Sequence, residues 1–376
     1  MPSGRPTRIL IVDDSAVMRN LLRSVIRMEP DFEVIGTAAD GASTLGALEN
    51  LRPDLILLDV EMPVMDGLAT LRKLRGCGLR MPVIMCSSLT QRGGRVTIEA
   101  LASGASDYVA KPTGHSSAAE AVKALAHELL PKISALTANL QPTMTASSAP
   151  RLPLLPELPP TPRNQAISSI PAVLVIGVST GGPAALDLLL PALPRSFPLP
   201  VLVVQHMPEL FTRLLAERLA QRCPLRVNEA VEGDAVRPGT ISIARGNWHL
   251  EILSPSRAGQ PATMHLTQAP PENHCRPAVD VLFRSTAAHY GSGVLAVVLT
   301  GMGSDGLVGS RLIRAQGGTV LAQDQATSVI WGMPGAVARA GLAQRILSLQ
   351  DIAPEILRLS GPAQGGGTEL REAAAL

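Results

Sequence analysis

Two groups of side chains in the 376-residue sequence have the types and spacing to do chemistry. In the first, Ile9-Leu10-Ile11-Val12 runs straight into Asp13 and Asp14, and Leu55-Ile56-Leu57-Leu58 runs into Asp59. Three carboxylates gathered at the ends of buried strands repel one another, and a hard divalent cation such as Mg²⁺, which takes oxygen ligands and keeps some of its water, relieves that repulsion. Lys111, followed by Pro112, adds a cation after a later apolar run, and Ser87 adds a hydroxyl. Any one aspartate after a strand is most simply a turn former or a helix cap. The full set, at matching strand ends, reads as a site.

The second group centres on Gly177-Val178-Ser179-Thr180-Gly181, a G-x-S-x-G pattern between a buried strand run and a helical segment from about Pro183 to Leu190. Alone it is equally a tight turn or an anion cradle at a helix N-terminus. His206 and Asp305 change the weighing, because each also follows a strand run, in Gln205-His206-Met207-Pro208 and in Gly301-Met302-Gly303-Ser304-Asp305-Gly306. A serine hydroxyl needs a neighbouring imidazole to take its proton, and a buried carboxylate fixes that imidazole's tautomer. The chain order Ser, His, Asp argues against the common esterase fold, whose order is Ser, acid, His. Backbone amides of Thr180 and Met302 are the candidate oxyanion donors.

Other residues read more plainly. Cys77, Cys86, Cys223 and Cys275 show neither CxxC spacing nor a partner histidine ladder, so reduced thiols are expected in place of zinc or disulfides. His249 and His274 read as ordinary surface or loop histidines, with the rim of the same cleft as the alternative. Arg276-Pro277-Ala278-Val279-Asp280 opens a helix, with proline in its first turn and Asp280 complementing its dipole.

The elements that must position these residues follow from the apolar pattern. From residue 7 to 136, continuous runs such as 9–12, 33–36, 55–58, 82–85 and 107–110 alternate with helical spacings, the mark of parallel strands covered on both faces. Residues 137–169 are dense in proline, with Pro142, Pro150, Pro153, Pro156, Pro159, Pro160 and Pro162, and read as a linker. Strand and helix patterns resume over 170–358. Short β pieces in 225–267, broken by Gly233-Asp234, Pro238-Gly239 and Gly246-Asn247, suggest an antiparallel excursion at a sheet edge. Residues 359–376 read as a tail. Two domains fit the length at about 150 residues each. A net charge of +2 and 2% aromatic residues disfavour a nucleic-acid partner, and no apolar stretch is long enough for a membrane span or signal peptide, so a cytoplasmic protein is expected.

Val12-Asp13-Asp14-Ser15, Leu58-Asp59-Val60-Glu61-Met62-Pro63, Met65-Asp66-Gly67, Ser87 and Lys111-Pro112 together resemble the response-regulator receiver family. The resemblance implies that Asp59 accepts a phosphoryl group. Asp13, Asp14, Asp59 and the backbone carbonyl of Glu61 would hold Mg²⁺, and Lys111 and Ser87 would bind the phosphoryl group. The second half resembles the catalytic domain of chemotaxis protein-glutamate methylesterases, the CheB family. That resemblance rests on the Ser179, His206 and Asp305 motifs, on residues 276–283 and on Gly332-Met333-Pro334. It implies an α/β fold with two doubly wound parallel-sheet domains: a flavodoxin-like receiver, then a Rossmann-like esterase domain. It further implies a monomeric enzyme with a serine triad and no cofactor for ester hydrolysis. Methyl-accepting chemoreceptors would be the substrate and a chemotaxis histidine kinase the phosphodonor. Cys275 stands where the family usually has histidine, and Arg245 and Asn247 stand where proline and aspartate are common. A response regulator whose second domain only binds, with the Ser179 turn as an anion or nucleotide site, and more remotely a DNA-binding output domain, are the competing readings.

Overall fold

The structure, a computed structural model, describes residues 5–88, 90–112, 117–138, 170–255, 257 and 259–361. Of the expected linker 137–169, residues 139–169 lie outside the described residues, as do residues 362–376 of the expected tail 359–376; Thr137 still closes the helix Ala118–Thr137 and Leu359 the helix Leu349–Leu359.

The first sheet contains β1 (Thr7–Val12), β2 (Phe32–Ala38), β3 (Leu55–Asp59), β4 (Val83–Ser87) and β5 (Asp107–Ala110), in the order β2-β1-β3-β4-β5. All pairs are parallel. Helices α1 (Ala16–Ile26), α2 (Gly41–Leu51), α3 (Gly67–Gly76), α4 (Gln91–Ala102) and α5 (Ala118–Thr137) follow the strands in turn. The strand order reverses between β1 and β3, which opens a crevice beyond their C-terminal ends, where Asp13 and Asp59 sit. Asp66 is a cap: its carboxylate accepts from the Ala69 amide at 2.7 Å and starts α3.

The second sheet runs β14-β13-β12-β6-β7-β9-β8 and is also parallel throughout. Its strands are β6 (Val173–Val178), β7 (Val201–Gln205), β8 (Arg226–Glu229), β9 (Thr240–Ile243), β12 (Val294–Val298), β13 (Thr319–Gln323) and β14 (Arg345–Leu347). Between β9 and β12, β10 (His249–Leu253) and β11 (Thr263–Thr267) form a separate antiparallel pair. The antiparallel excursion expected over 225–267 is therefore confined to its second half. After β8 the chain leaves the sheet, Ala235 bridges to Thr263 in β11, and β9 re-enters in the direction of β8. That detour makes the pairing parallel.

Helices α6 (Gly182–Leu189), α7 (Glu209–Ala220), α8 (Val279–Tyr290), α9 (Leu307–Ala315), α10 (Met333–Arg339) and α11 (Leu349–Leu359) cover this sheet. The cores are aliphatic: Leu10, Ile56, Leu58, Leu174, Ile176 and Val203 are fully buried. One apolar cluster is continuous from the first sheet into the second, through Leu101 of α4, Leu186 of α6 and Phe211 and Leu214 of α7.

The two domains meet where α4 packs against α6 and α7. Close approach depends on Gly94 in α4, where an added Cβ would stand 2.8 Å from Leu214 Cδ1. Tyr108 of β5 stacks on Phe211 with ring centroids 4.5 Å apart. The Arg95–Glu217 ion pair at 3.0 Å sits at the exposed rim, where such pairs contribute little. A bulky side chain at residue 94 is expected to part the domains without unfolding either. For Gly94→Leu, small-angle scattering should give a larger radius of gyration with an unchanged circular dichroism spectrum; an unchanged radius would mean that this contact does not hold the domains together.

Candidate active site

In the crevice of the first domain the expected residues converge. Carboxylate oxygens of Asp13, Asp14 and Asp59 all lie within 4.8 Å of one another. Lys111 Nζ reaches Asp13 Oδ2 at 2.8 Å and Asp59 Oδ1 at 2.7 Å. Burial pushes the Asp59 carboxyl up from its ordinary value; Lys111 opposes that shift and Asp13 adds to it. Burial works against the Lys111 charge too, yet the two aspartates hold its pKa above the usual range. Ser87 is fully buried beneath this crevice, its hydroxyl bonded to Thr97 Oγ1 at 2.6 Å and to the Ser88 carbonyl at 3.2 Å. Three all-oxygen side chains at this spacing, two of them buried, fit a hard divalent cation.

In the second domain, Ser179 follows β6, His206 follows β7, and Asp305 lies on the loop after β12, and these three strands are neighbours in the sheet. The turn at Ser179 is tightly made. Gly181 has φ 79°, a conformation that favours glycine, and the Gly182 amide closes the turn onto the Ser179 carbonyl at 2.8 Å. Gln205 Nε2 donates to the same carbonyl at 3.0 Å, and Thr300 Oγ1 donates to the Thr180 carbonyl at 2.9 Å. Among the described residues the Thr180 and Met302 amides donate to no acceptor, as the expected oxyanion donors would.

His206 Nε2 pairs with Asp305 Oδ2 at 2.8 Å. Burial disfavours the charged ring, but the Asp305 carboxylate and the neighbouring Cys275 sulfur outweigh it, so the imidazole pKa is raised above its ordinary value. Asp305 moves the opposite way. Its burial is overcome by His206 and by the Val279 and Asp280 amides, and the carboxylate stays ionised below the usual range. Ser179 Oγ makes no hydrogen bond among the described residues. Of the two contacts a triad of these residues would need, the one between His206 and Asp305 is therefore formed and the one between Ser179 and His206 is open. Loose nucleophile contacts are common before substrate binds.

A cavity of about 890 Å³ opens at this edge, and both domains line it. Ser179, Thr180, His206, Cys275 and Met302 form one wall, and Met28, Asp107, Tyr108 and Lys132 of the first domain form the other. Thr180 Oγ1 donates to Asp107 Oδ2 at 2.5 Å, both residues being buried. Sequence reasoning missed Asp107, because it opens a strand, away from the end where chemistry is expected. It also missed Gln205 and Asn273, polar residues inside or beside motifs that were read for their histidine and arginine. His249 is not a surface residue: it is 1% exposed, its Nδ1 accepting from the Ala278 amide at 3.2 Å and its Nε2 3.1 Å from the Pro270 carbonyl. His274 does line the cavity.

Fold and site define the class: a two-domain α/β signalling enzyme in which a carboxylate crevice is joined to a serine, histidine and aspartate edge. Residues 9–123 match the response regulator receiver domain, and residues 174–356 match the CheB methylesterase family. The chain is 50% identical over 354 residues to a protein-glutamate methylesterase/protein-glutamine glutaminase of Nocardioides sp. (strain ATCC BAA-499 / JS614), covering 93% of this chain and 94% of that one. A protein of the same name from Trichodesmium erythraeum (strain IMS101) is 46% identical over 366 residues, 94% of this chain and 99% of the other. The crystal structure of the Thermotoga maritima CheB methylesterase catalytic domain is 42% identical, covering 50% of this chain and 98% of that one, with a TM-score of 0.49. The chain belongs to the CheB methylesterase family and is an enzyme of it. Among the described residues, no helix is long and apolar enough to cross a membrane.

If Asp305 is what raises the His206 pKa, its neutral isostere must lower it. In Asp305→Asn the His206 ring should titrate at lower pH than in the parent, followed by NMR of the imidazole resonances; an unmoved titration would show that the pair is not coupled.

Proposed function

We propose that this enzyme hydrolyses glutamate γ-methyl esters, and deamidates glutamine, on the cytoplasmic helices of methyl-accepting chemoreceptors, with phosphorylation of Asp59 as the control. The names of its relatives support the substrate chemistry. Ser179 Oγ attacks the ester carbonyl while His206 accepts its proton, and the Thr180 and Met302 amides receive the oxyanion. His206 then gives that proton to the departing methoxide, and methanol leaves an acyl-serine. Water, deprotonated by His206, attacks the acyl carbon and frees glutamate and the serine. Glutamine follows the same path with ammonia as the leaving group. Asp305, kept ionised, holds the ring and offsets its charge while the proton resides there.

The observation that carries the regulatory reading is the shared cavity. Asp107 and Tyr108 of the receiver stand against the nucleophile turn, so a receptor helix cannot lie along Ser179 until they withdraw. This reading takes the present arrangement as the closed state. Asp13, Asp14, Asp59 and the Glu61 carbonyl would hold Mg²⁺, which neutralises charge during phosphoryl transfer to Asp59. Lys111, already 2.7 Å from Asp59, is positioned to bind the transferred group, and Ser87 lies one strand away to meet it. In this reading a histidine kinase of the chemosensory circuit is the phosphodonor. A purely binding second domain would have no use for a buried His206–Asp305 pair beside a serine.

Methanol release from methylated receptor membranes, with and without a small-molecule phosphodonor, tests both parts. Ser179→Ala should lower turnover by about 10³-fold or more, and undiminished turnover would remove Ser179 from the mechanism. Asp59→Asn should keep the unstimulated rate and lose the stimulation; a full response would exclude Asp59 as the phosphoacceptor. Asp107→Ala deletes a buried hydrogen bond made only in the closed state. At about 1–2 kcal/mol, its loss should raise the unstimulated rate by roughly 5- to 30-fold, and no rise would mean that this bond does not hold the cleft shut.

A further inference from the structure

One buried carboxylate has no part in the mechanism above. Asp280, in the first turn of α8 and 1% exposed, reads from the sequence as a helix-dipole complement, but its side chain does more than that. Its Oδ1 accepts from the Gly309 amide of α9 at 2.6 Å, and its Oδ2 accepts from Asn273 Nδ2 at 3.0 Å. The same Nδ2 donates to Asp305 Oδ1 at 2.9 Å. A single amide nitrogen therefore places its two protons on two buried carboxylates.

The two oxygens of Asp305 are thereby sorted. Oδ1, turned away from the imidazole, accepts from Asn273, the Asp280 amide at 2.9 Å and the Gly306 amide at 3.0 Å. Oδ2 accepts from the Val279 amide at 2.7 Å and pairs with His206. Asn273 is itself an exposed loop residue, and it reaches inward because it and His274 take left-handed conformations, with φ 53° and 62°. Asparagine tolerates that region better than most residues that carry a side chain.

The charged neighbourhood is small. His206 faces Asp305 from the end of β7, with Cys275 on its other side, and Asp280 faces it from α8. Glu272 also bears on Asp280, and is itself tied by Arg284 of α8 through contacts of 3.0 and 2.9 Å. From α9 and the loop before it come only the Gly306 and Gly309 amides. Burial pushes the Asp280 carboxyl up to about 6; the Gly309 amide opposes the shift and Asp305 adds to it. Two carboxylates this close need a donor between them to remain side by side.

We propose that Asn273 and Asp280 are positioning residues for the hydrolysis. Asp280 fixes the Asn273 amide, and the amide fixes the outer oxygen of Asp305, so that the inner oxygen stays on His206. The inference rests on the reading that His206 and Asp305 act with Ser179. Asp280 does not line the cavity, so its influence on turnover has to pass through Asn273 and Asp305.

The test uses the full chain with phosphodonor and reads kcat, KM and the acid limb of the kcat profile from methanol release. Asp280→Asn keeps the shape but puts a donor against a donor, or else gives up the Gly309 bond. Asn273→Gly accepts the left-handed backbone and lacks only the amide. Each variant should lose on the order of 10- to 100-fold in kcat, with KM within about 2-fold. The acid limb should move to lower pH in both, because a loosened Asp305 supports the His206 charge less well. The double variant should be no worse than Asn273→Gly alone, since the two act in series. Parental kcat in both single variants would overturn the proposal. So would a loss that follows the folded fraction while the acid limb stays still, or additive losses in the double variant. Asp305→Asn, run alongside, separates the two readings: if it keeps parental kcat, the triad itself falls; if it alone is impaired, only the positioning role falls.

Discussion

In a parallel sheet every strand ends at the same edge, and the residues just beyond leave the hydrogen-bonded ladder together. This chain uses that constraint twice. In the first sheet the reversal between β1 and β3 sets Asp13 and Asp59 side by side, with Lys111 two strands away on the same edge. In the second, three neighbouring strands deliver Ser179, His206 and Asp305. Apolar strand runs and reactive strand ends are two aspects of one arrangement. The buried ladder of Val, Leu and Ile residues supplies the rigidity, and the strand ends supply the convergence.

Convergence brings charge into places where water cannot screen it, and the two domains answer differently. The receiver crevice balances three carboxylates with one lysine and leaves room for a cation. The esterase edge relies on backbone. Asp305 accepts three main-chain amides besides its two side-chain partners: two from the N-terminus of α8, which points at it, and one from Gly306 before α9. A carboxylate held this way stays ionised although it is buried, which is the condition for stabilising a protonated imidazole.

The legible part of this architecture was whatever repeats with a short period or sits at a strand end. Continuous apolar runs marked the parallel strands, and Asp13, Asp59, Lys111, Ser179, His206 and Asp305 could each be read from the run before it. What escaped depends on contacts between segments far apart in the chain. β8 and β9 looked antiparallel because the detour through Ala235 and Thr263 leaves no local trace. Asn273 acts through a left-handed turn whose direction only the folded loop decides. Asp107 was invisible as a partner of Thr180, because 73 residues and an interdomain boundary separate them.

The position of Asp107 sets a demand on signalling across the receiver. β5 is four residues long, with Asp107 at its start and Lys111 one residue past its end, so the carboxylate crevice and the contact with Thr180 lie at opposite edges of the sheet, roughly 13 Å apart along one strand. The 2.5 Å bond at Thr180 is lost once its atoms separate by about 1 Å more, beyond the range of a hydrogen bond. The bond therefore registers displacements of β5 against the second domain that are far smaller than the length of strand linking the two edges.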